Sequence, residues 1–119
     1  MDSLEKEILK YEKKGFKVVQ KRSLKYGSRI FLLKHGGLIW GDEVVYIYNV
    51  NGDCTIEALR ECFKDYVTFY ETEDFENRDK GLFLCSGSLD QKLFEDVRKA
   101  MISDDDIRNS IKPISLKKV

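Results

Sequence analysis

The chain is poor in the residues that mark many specialised classes: 119 residues hold one proline, one histidine, one tryptophan and three cysteines. Cys54, Cys62 and Cys85 have no paired metal-type spacing and leave one thiol over in any disulfide scheme. That removes the sequence basis for a zinc module or a disulfide-built secreted scaffold. Reduced thiols in a cytoplasmic protein are the expectation. No apolar run approaches the roughly 20 residues of a membrane span. The opening MDSLEKEILK alternates charge where a secretory signal needs an apolar core. No glycine-rich phosphate loop of Walker or Rossmann spacing exists, and Gly36–Gly37 reads as a turn. His35 has no orienting carboxylate assignable from sequence, so a turn histidine is the better reading. No cofactor and no metal is expected.

What is present fits one domain over residues 1–119, with 42 % hydrophobic and 35 % charged residues, an ordinary charge-rich globule. The zero net charge is unevenly spread. Residues 1–40 carry ten Lys or Arg against four acids, residues 41–106 seven against seventeen, and residues 107–119 four against none. Either the basic part faces a polyanion, or the charges of the two parts interleave in space.

Asp2 and Glu5 have capping-box spacing, and Leu4, Ile8 and Tyr11 form a stripe that ends before Lys13–Lys14–Gly15. This predicts a first helix over about 3–14. From Phe16 the period becomes two. FKVVQKR and RIFLLK read as strands around a turn at Gly27, Leu38–Trp40 as an extension, and Val44–Val50 as a third strand ending at Asn51–Gly52. Val44, Tyr46 and Tyr48 share one face of that strand, with Val45, Ile47 and Asn49 on the other, so it belongs in the middle of a covered sheet. The tyrosine hydroxyls then need partners or an exit to water.

Thr55 is a plausible N-cap, and Ile56, Leu59, Phe63, Tyr66 and Tyr70 stripe a second helix, before a polar loop over 71–80. GLFLCSG reads as a strand buried on both faces. Ser88 and Gln91 have capping-box spacing, and Leu93, Phe94, Val97 and Met101 stripe a third helix. Ser103 with Asp106 suggests one more turn, and IKPISL a last edge strand that tolerates Pro113. Cys62 and Cys85 fall where small core hydrophobes are wanted. The expected fold is α/β (α+β): a mixed β-sheet flanked by helices, in the order α-β-β-β-α-β-α-β.

That order resembles the restriction-endonuclease-like fold of the PD-(D/E)xK nucleases. KKGFKVV is similar to the first helix–strand join of Mrr-type endonucleases and archaeal Holliday-junction resolvases. KGLFLCSGSLDQKLFEDVRKA resembles the later strand and helix of Mrr-type domains. The resemblance implies a metal-binding Asp near Ile30 or Phe31 and a Glu-x-Lys within Tyr46–Val50. Apolar and aromatic residues and one amide stand there, and they cannot replace carboxylates around a divalent ion. The resemblance therefore implies a nuclease-like member with a degenerate site. GFKVVQKRSLKYGSRIFLLKHG also looks like the catalytic-domain opening of tRNA-splicing endonucleases, without that family's tyrosine ahead of the histidine.

Three readings remain open. The first is a noncatalytic domain that binds DNA, RNA or a protein partner through a basic first hairpin, where Lys21, Arg22, Lys25, Tyr26, Arg29 and Lys34 gather. The second is a divergent metal nuclease whose carboxylates have moved to Glu7, Asp42, Glu43 or Asp53; turn and helix-surface roles compete for these four. The third is an oligomeric scaffold, such as a homodimer, with an interface at Trp40, Phe69, Tyr70 and Phe75.

Overall fold

The computed structural model describes residues 3–36, 42–72, 80–102 and 114–118. They form α1 (Ser3–Glu12), β1 (Lys17–Ser23), β2 (Ser28–Lys34), β3 (Glu43–Val50), α2 (Ile56–Thr72), β4 (Lys80–Cys85), α3 (Gln91–Met101) and β5 (Ile114–Lys118). The sheet runs β1-β2-β3-β4-β5 in space as in sequence. The first three strands are antiparallel, because short connections suffice between them. The pairs β3–β4 and β4–β5 are parallel, which requires a crossover each time. The element order and the mixed sheet are those expected from the sequence.

Local chemistry sets the boundaries. At the end of α1, Gly15 takes φ 98°, a conformation that suits glycine. Phe16 N–H donates back to the Tyr11 carbonyl at 3.1 Å. The reversal drives the Phe16 ring into the core, edge-on to Tyr11 at 5.6 Å. Thr55 caps α2 as expected, its Oγ1 accepting from Ala58 N–H at 3.2 Å. The cap of α3 is a correction: Asp90, not Ser88, accepts from the Leu93 amide, at 3.0 Å. Ser88 is already committed, its N–H to Asp53 Oδ1 at 2.7 Å and its carbonyl to Cys54 N–H at 3.0 Å. Helix α2 runs to Thr72, into the stretch expected as loop, and Ile56 at its start is exposed rather than part of the buried stripe.

The sheet separates two cores. On one side Ile8 and Phe16 meet Ile30, Leu32, Val45, Ile47 and Leu84. On the other, Leu59, Cys62, Phe63 and Tyr66 of α2 and Phe94 and Val97 of α3 cover Phe31, Tyr46, Tyr48, Phe83 and Cys85. β3 is buried on both faces, as its alternation required. All three cysteines are free and buried. Burial pushes the thiols of Cys54 and Cys62 up, so both behave as small apolar residues.

β1 is an edge, exposed along almost its whole length. A bulge between Val18 and Gln20 leaves Val19 59 % exposed. Charges and bulges of this kind discourage pairing with foreign strands. β5 is the opposite edge, as expected for IKPISL. The Leu38–Trp40 extension, Asp2, Phe75, Pro113 and the Ser103–Asp106 turn lie outside the described residues.

Candidate functional site

The positions at which the resemblance implies metal nuclease chemistry fall on both faces of the sheet, one of them the α1-facing side of β2 and β3. The residues there are Ile30, Leu32, Val45 and Ile47, in contact with Ile8 and Phe16. Of the two positions considered for a metal-binding Asp, only Ile30 faces this side. Phe31 faces α2 and stacks on Phe69 with ring centroids 3.9 Å apart. Phe69, expected as an interface aromatic, is thus part of the packing beneath α2. Asn49, 5 % exposed, is the polar member of the α1-facing row of β3 and donates to Asn51 Oδ1 at 3.3 Å.

The four acidic candidates occupy different places. Glu7 is 5 % exposed and accepts from Lys117 Nζ at 2.7 Å and Lys10 Nζ at 2.9 Å. Burial works to raise its pKa, but the two ammonium groups outweigh it and hold the carboxyl below the usual range. Asp53 follows β3 and binds the loop after β4, through Ser88 N–H. Asp42 and Glu43 stand at the opposite end of β3, about 25 Å from its far end at eight residues of strand. Glu43 lies across from Lys34 on β2. Asp42 Oδ1 is 3.2 Å from His35 Nδ1, giving the histidine a carboxylate partner seven positions along the chain. That pair is largely open to water. Among the described residues no three His, Cys, Asp or Glu side chains gather as a metal site.

The basic hairpin residues divide into three groups. Lys34 lies at the far end of β2, its Nζ 5.9 Å from the Phe16 ring centroid and about 20 Å from the tip along six residue steps. Arg29 is drawn inward: its side chain is 13 % exposed and its Nη1 bonds Asp65 Oδ1 at 2.6 Å. Lys21, Arg22 and Lys25 remain exposed towards the tip, together with Tyr26 at 43 % exposure. Lys25 Nζ lies 5.4 Å from the Tyr26 ring centroid. The basic and acidic parts of the sequence therefore interleave at Arg29–Asp65 and Lys34–Glu43, while the tip keeps its cations at the surface.

Two residues not singled out from sequence organise this region: Glu61 and Asp65, one turn apart on α2. The Tyr46 hydroxyl donates to Asp65 Oδ2 and the Tyr48 hydroxyl to Glu61 Oε1, each at 2.7 Å. Glu61 also accepts the backbone N–H groups of Lys25 at 3.0 Å and Tyr26 at 2.9 Å. Here are the partners that the buried tyrosines needed. Burial first, and the neighbouring negative groups after it, push both phenols far above their ordinary value of 10.0. The signal was available: two like charges at i and i+4 beside an apolar stripe repel each other unless donors arrive from elsewhere.

The sequence matches no family model and no curated protein. Among solved structures the chain is similar to EndoMS in its apo form, with a TM-score of 0.57 at 11 % identity. The match covers 100 % of this chain and 46 % of that one, so the chain spans less than half of that structure. At such identity the likeness concerns the fold, which is restriction-endonuclease-like: a five-stranded mixed sheet flanked by helices. Among the described residues no helix is long and apolar enough to cross a membrane.

Proposed function

We propose that this chain is a noncatalytic nuclease-like domain that binds nucleic acid through the tip of its first hairpin. The carrying observation is a contrast between two places. Where the fold would perform hydrolysis, Ile30, Leu32, Val45 and Ile47 fill the sheet face with hydrocarbon. Among the described residues, a hydrated divalent ion bridging enzyme and phosphate has no carboxylate pair to hold it there. Near the tip, by contrast, Lys21 and Arg22 stand exposed along β1, and Lys25 Nζ lies 5.4 Å from the centroid of the exposed Tyr26 ring. Cations neutralise phosphates, and a free ring offers a face to a base. Lys34, at the remote end of β2, and Arg29, committed to Asp65, are not part of this surface.

The test is binding of labelled DNA and RNA oligonucleotides across a salt series, with the Lys21→Ala/Arg22→Ala/Lys25→Ala variant beside the unmodified protein. Three lost phosphate contacts on a single strand lower the slope of log affinity against log salt by about 2. An unchanged slope, or no affinity for any oligonucleotide at low salt, removes the proposal. Mg²⁺- or Mn²⁺-dependent cleavage abolished by Asp42→Asn or Glu43→Gln would replace it with a catalytic reading.

A further inference from the structure

The hairpin tip is held more firmly than a surface turn requires. Leu24 N–H donates to the Gly27 carbonyl at 2.7 Å, leaving Lys25 and Tyr26 as the two tip residues. The Leu24 side chain packs on the main core. Gly27 lies flush against β3: a β-carbon there would stand 2.6 Å from the Asn49 carbonyl oxygen and 2.8 Å from the Tyr48 ring. Both tip amides point at one carboxylate, Glu61, which is itself held by the buried Tyr48 hydroxyl. A tip with exposed side chains and a fixed backbone has little ordering entropy left to lose on binding.

We infer that Tyr26 is a stacking platform for an unpaired base of single-stranded nucleic acid, and that Glu61 is the positioning residue that fixes it. The inference rests on the proposed function and adds its substrate class and a residue that touches no ligand. Cations alone attract any polyanion and do not separate single strand from duplex. The exposed ring separates them. Within a duplex each base is already stacked on its neighbours, whereas a single strand presents free base faces. Lys25 Nζ above the ring can turn to a phosphate of the same strand when a base arrives, since its side chain is exposed.

Glu61 makes the inference testable through a sign. It is a carboxylate directly beneath a surface meant for a polyanion. On charge alone its removal strengthens binding of every nucleic acid. If it positions Tyr26, its removal weakens single-strand binding instead.

The experiment is fluorescence anisotropy at one low salt concentration, with a labelled oligonucleotide and the duplex of the same sequence. Tyr26→Ala lowers single-strand affinity by about tenfold, the scale of one lost base stack, and Tyr26→Trp retains it. Glu61→Gln lowers single-strand affinity several-fold and leaves duplex affinity equal or higher. Tyr26 is exposed, so its variants keep the fold and decide the matter even if Glu61→Gln melts early. Single-strand affinity within twofold of the unmodified protein for Tyr26→Ala overturns the inference. So does equal or tighter binding of the duplex; both outcomes leave the proposed function standing. Binding to neither form overturns both.

Discussion

Replacing Asp65 by alanine tests the polar network beneath the hairpin. Asp65 is 17 % exposed and Arg29 13 % at their side chains, and the pair shares its carboxylate with the Tyr46 hydroxyl. Breaking a buried ion pair by removing one partner costs about 3–5 kcal/mol. Partial water access at both side chains reduces that figure, while the orphaned Tyr46 hydroxyl adds about 1–3 kcal/mol. A net loss of about 3 kcal/mol follows. For a chain of 119 residues the total is on the order of 6–18 kcal/mol. In urea, with m near 1.5–2 kcal/mol/M, the midpoint falls by about 1.5–2 M. Asp65→Asn keeps an acceptor for Tyr46 and loses less. The Arg29→Met/Asp65→Leu pair removes both charges together and recovers part of the loss, because no ion is left stranded. A loss below about 1 kcal/mol for Asp65→Ala, or strict additivity in the double variant, would refute the coupling described for Arg29, Asp65 and Tyr46.

Three further outcomes are expected. The Glu7 carboxyl is held below its ordinary 4.5, so its contribution is present above that pH and is lost as pH falls through the lower folded value. Lys117→Met flattens the acid limb of a stability–pH curve, measured by urea midpoints, and an unchanged limb would sink this. Tyr46 and Tyr48 are raised far above 10.0, so their contribution is complete below that pH and declines above it. In an alkaline absorbance titration Tyr46 and Tyr48 ionise only with unfolding; six equivalent tyrosine titrations would contradict the buried hydrogen bonds. Gly27→Ala forces its methyl group into Asn49 and Tyr48, at a cost of about 1–3 kcal/mol and roughly 5–10 °C in Tm, read by calorimetry. A neutral result would mean that the tip is not seated on β3.

Much of the fold was legible because its signals are local. The switch from a 3.6 to a 2 period at Phe16, the glycine stop at Gly15 and the double-faced alternation of Val44–Val50 are read within a few residues. They place the helices and the central strand directly. The capping of α3 was misread because Ser88 and Asp90 both fit, and the choice was made by Asp53, which lies 35 residues away. The site was harder for the same reason. Arg29 looked like a surface cation in its own hairpin, and only its pairing with Asp65, 36 residues on, removes it from the surface. Glu61 and Asp65 lie outside the apolar stripe of Ile56, Leu59, Phe63, Tyr66 and Tyr70 that marks α2 in the sequence. Their repulsion at i, i+4 spacing, next to a strand carrying two buried hydroxyls, was the available clue, and it needed both elements at once. Glu7 has one lysine partner within α1, Lys10, but nothing there announces that the second comes from β5.

That last pairing also bears on how the domain is made. Glu7 and Lys117 are separated by 110 positions, yet their side chains share a hydrogen bond of 2.7 Å. During synthesis, Glu7 emerges many seconds ahead of its distant ammonium partner, at translation rates of roughly 5–20 residues per second. Until then Lys10, three residues along the same helix, is the ammonium within reach, and the second bond waits for β5. The α1 side of the sheet therefore gains its last polar contact only once β5 has been made.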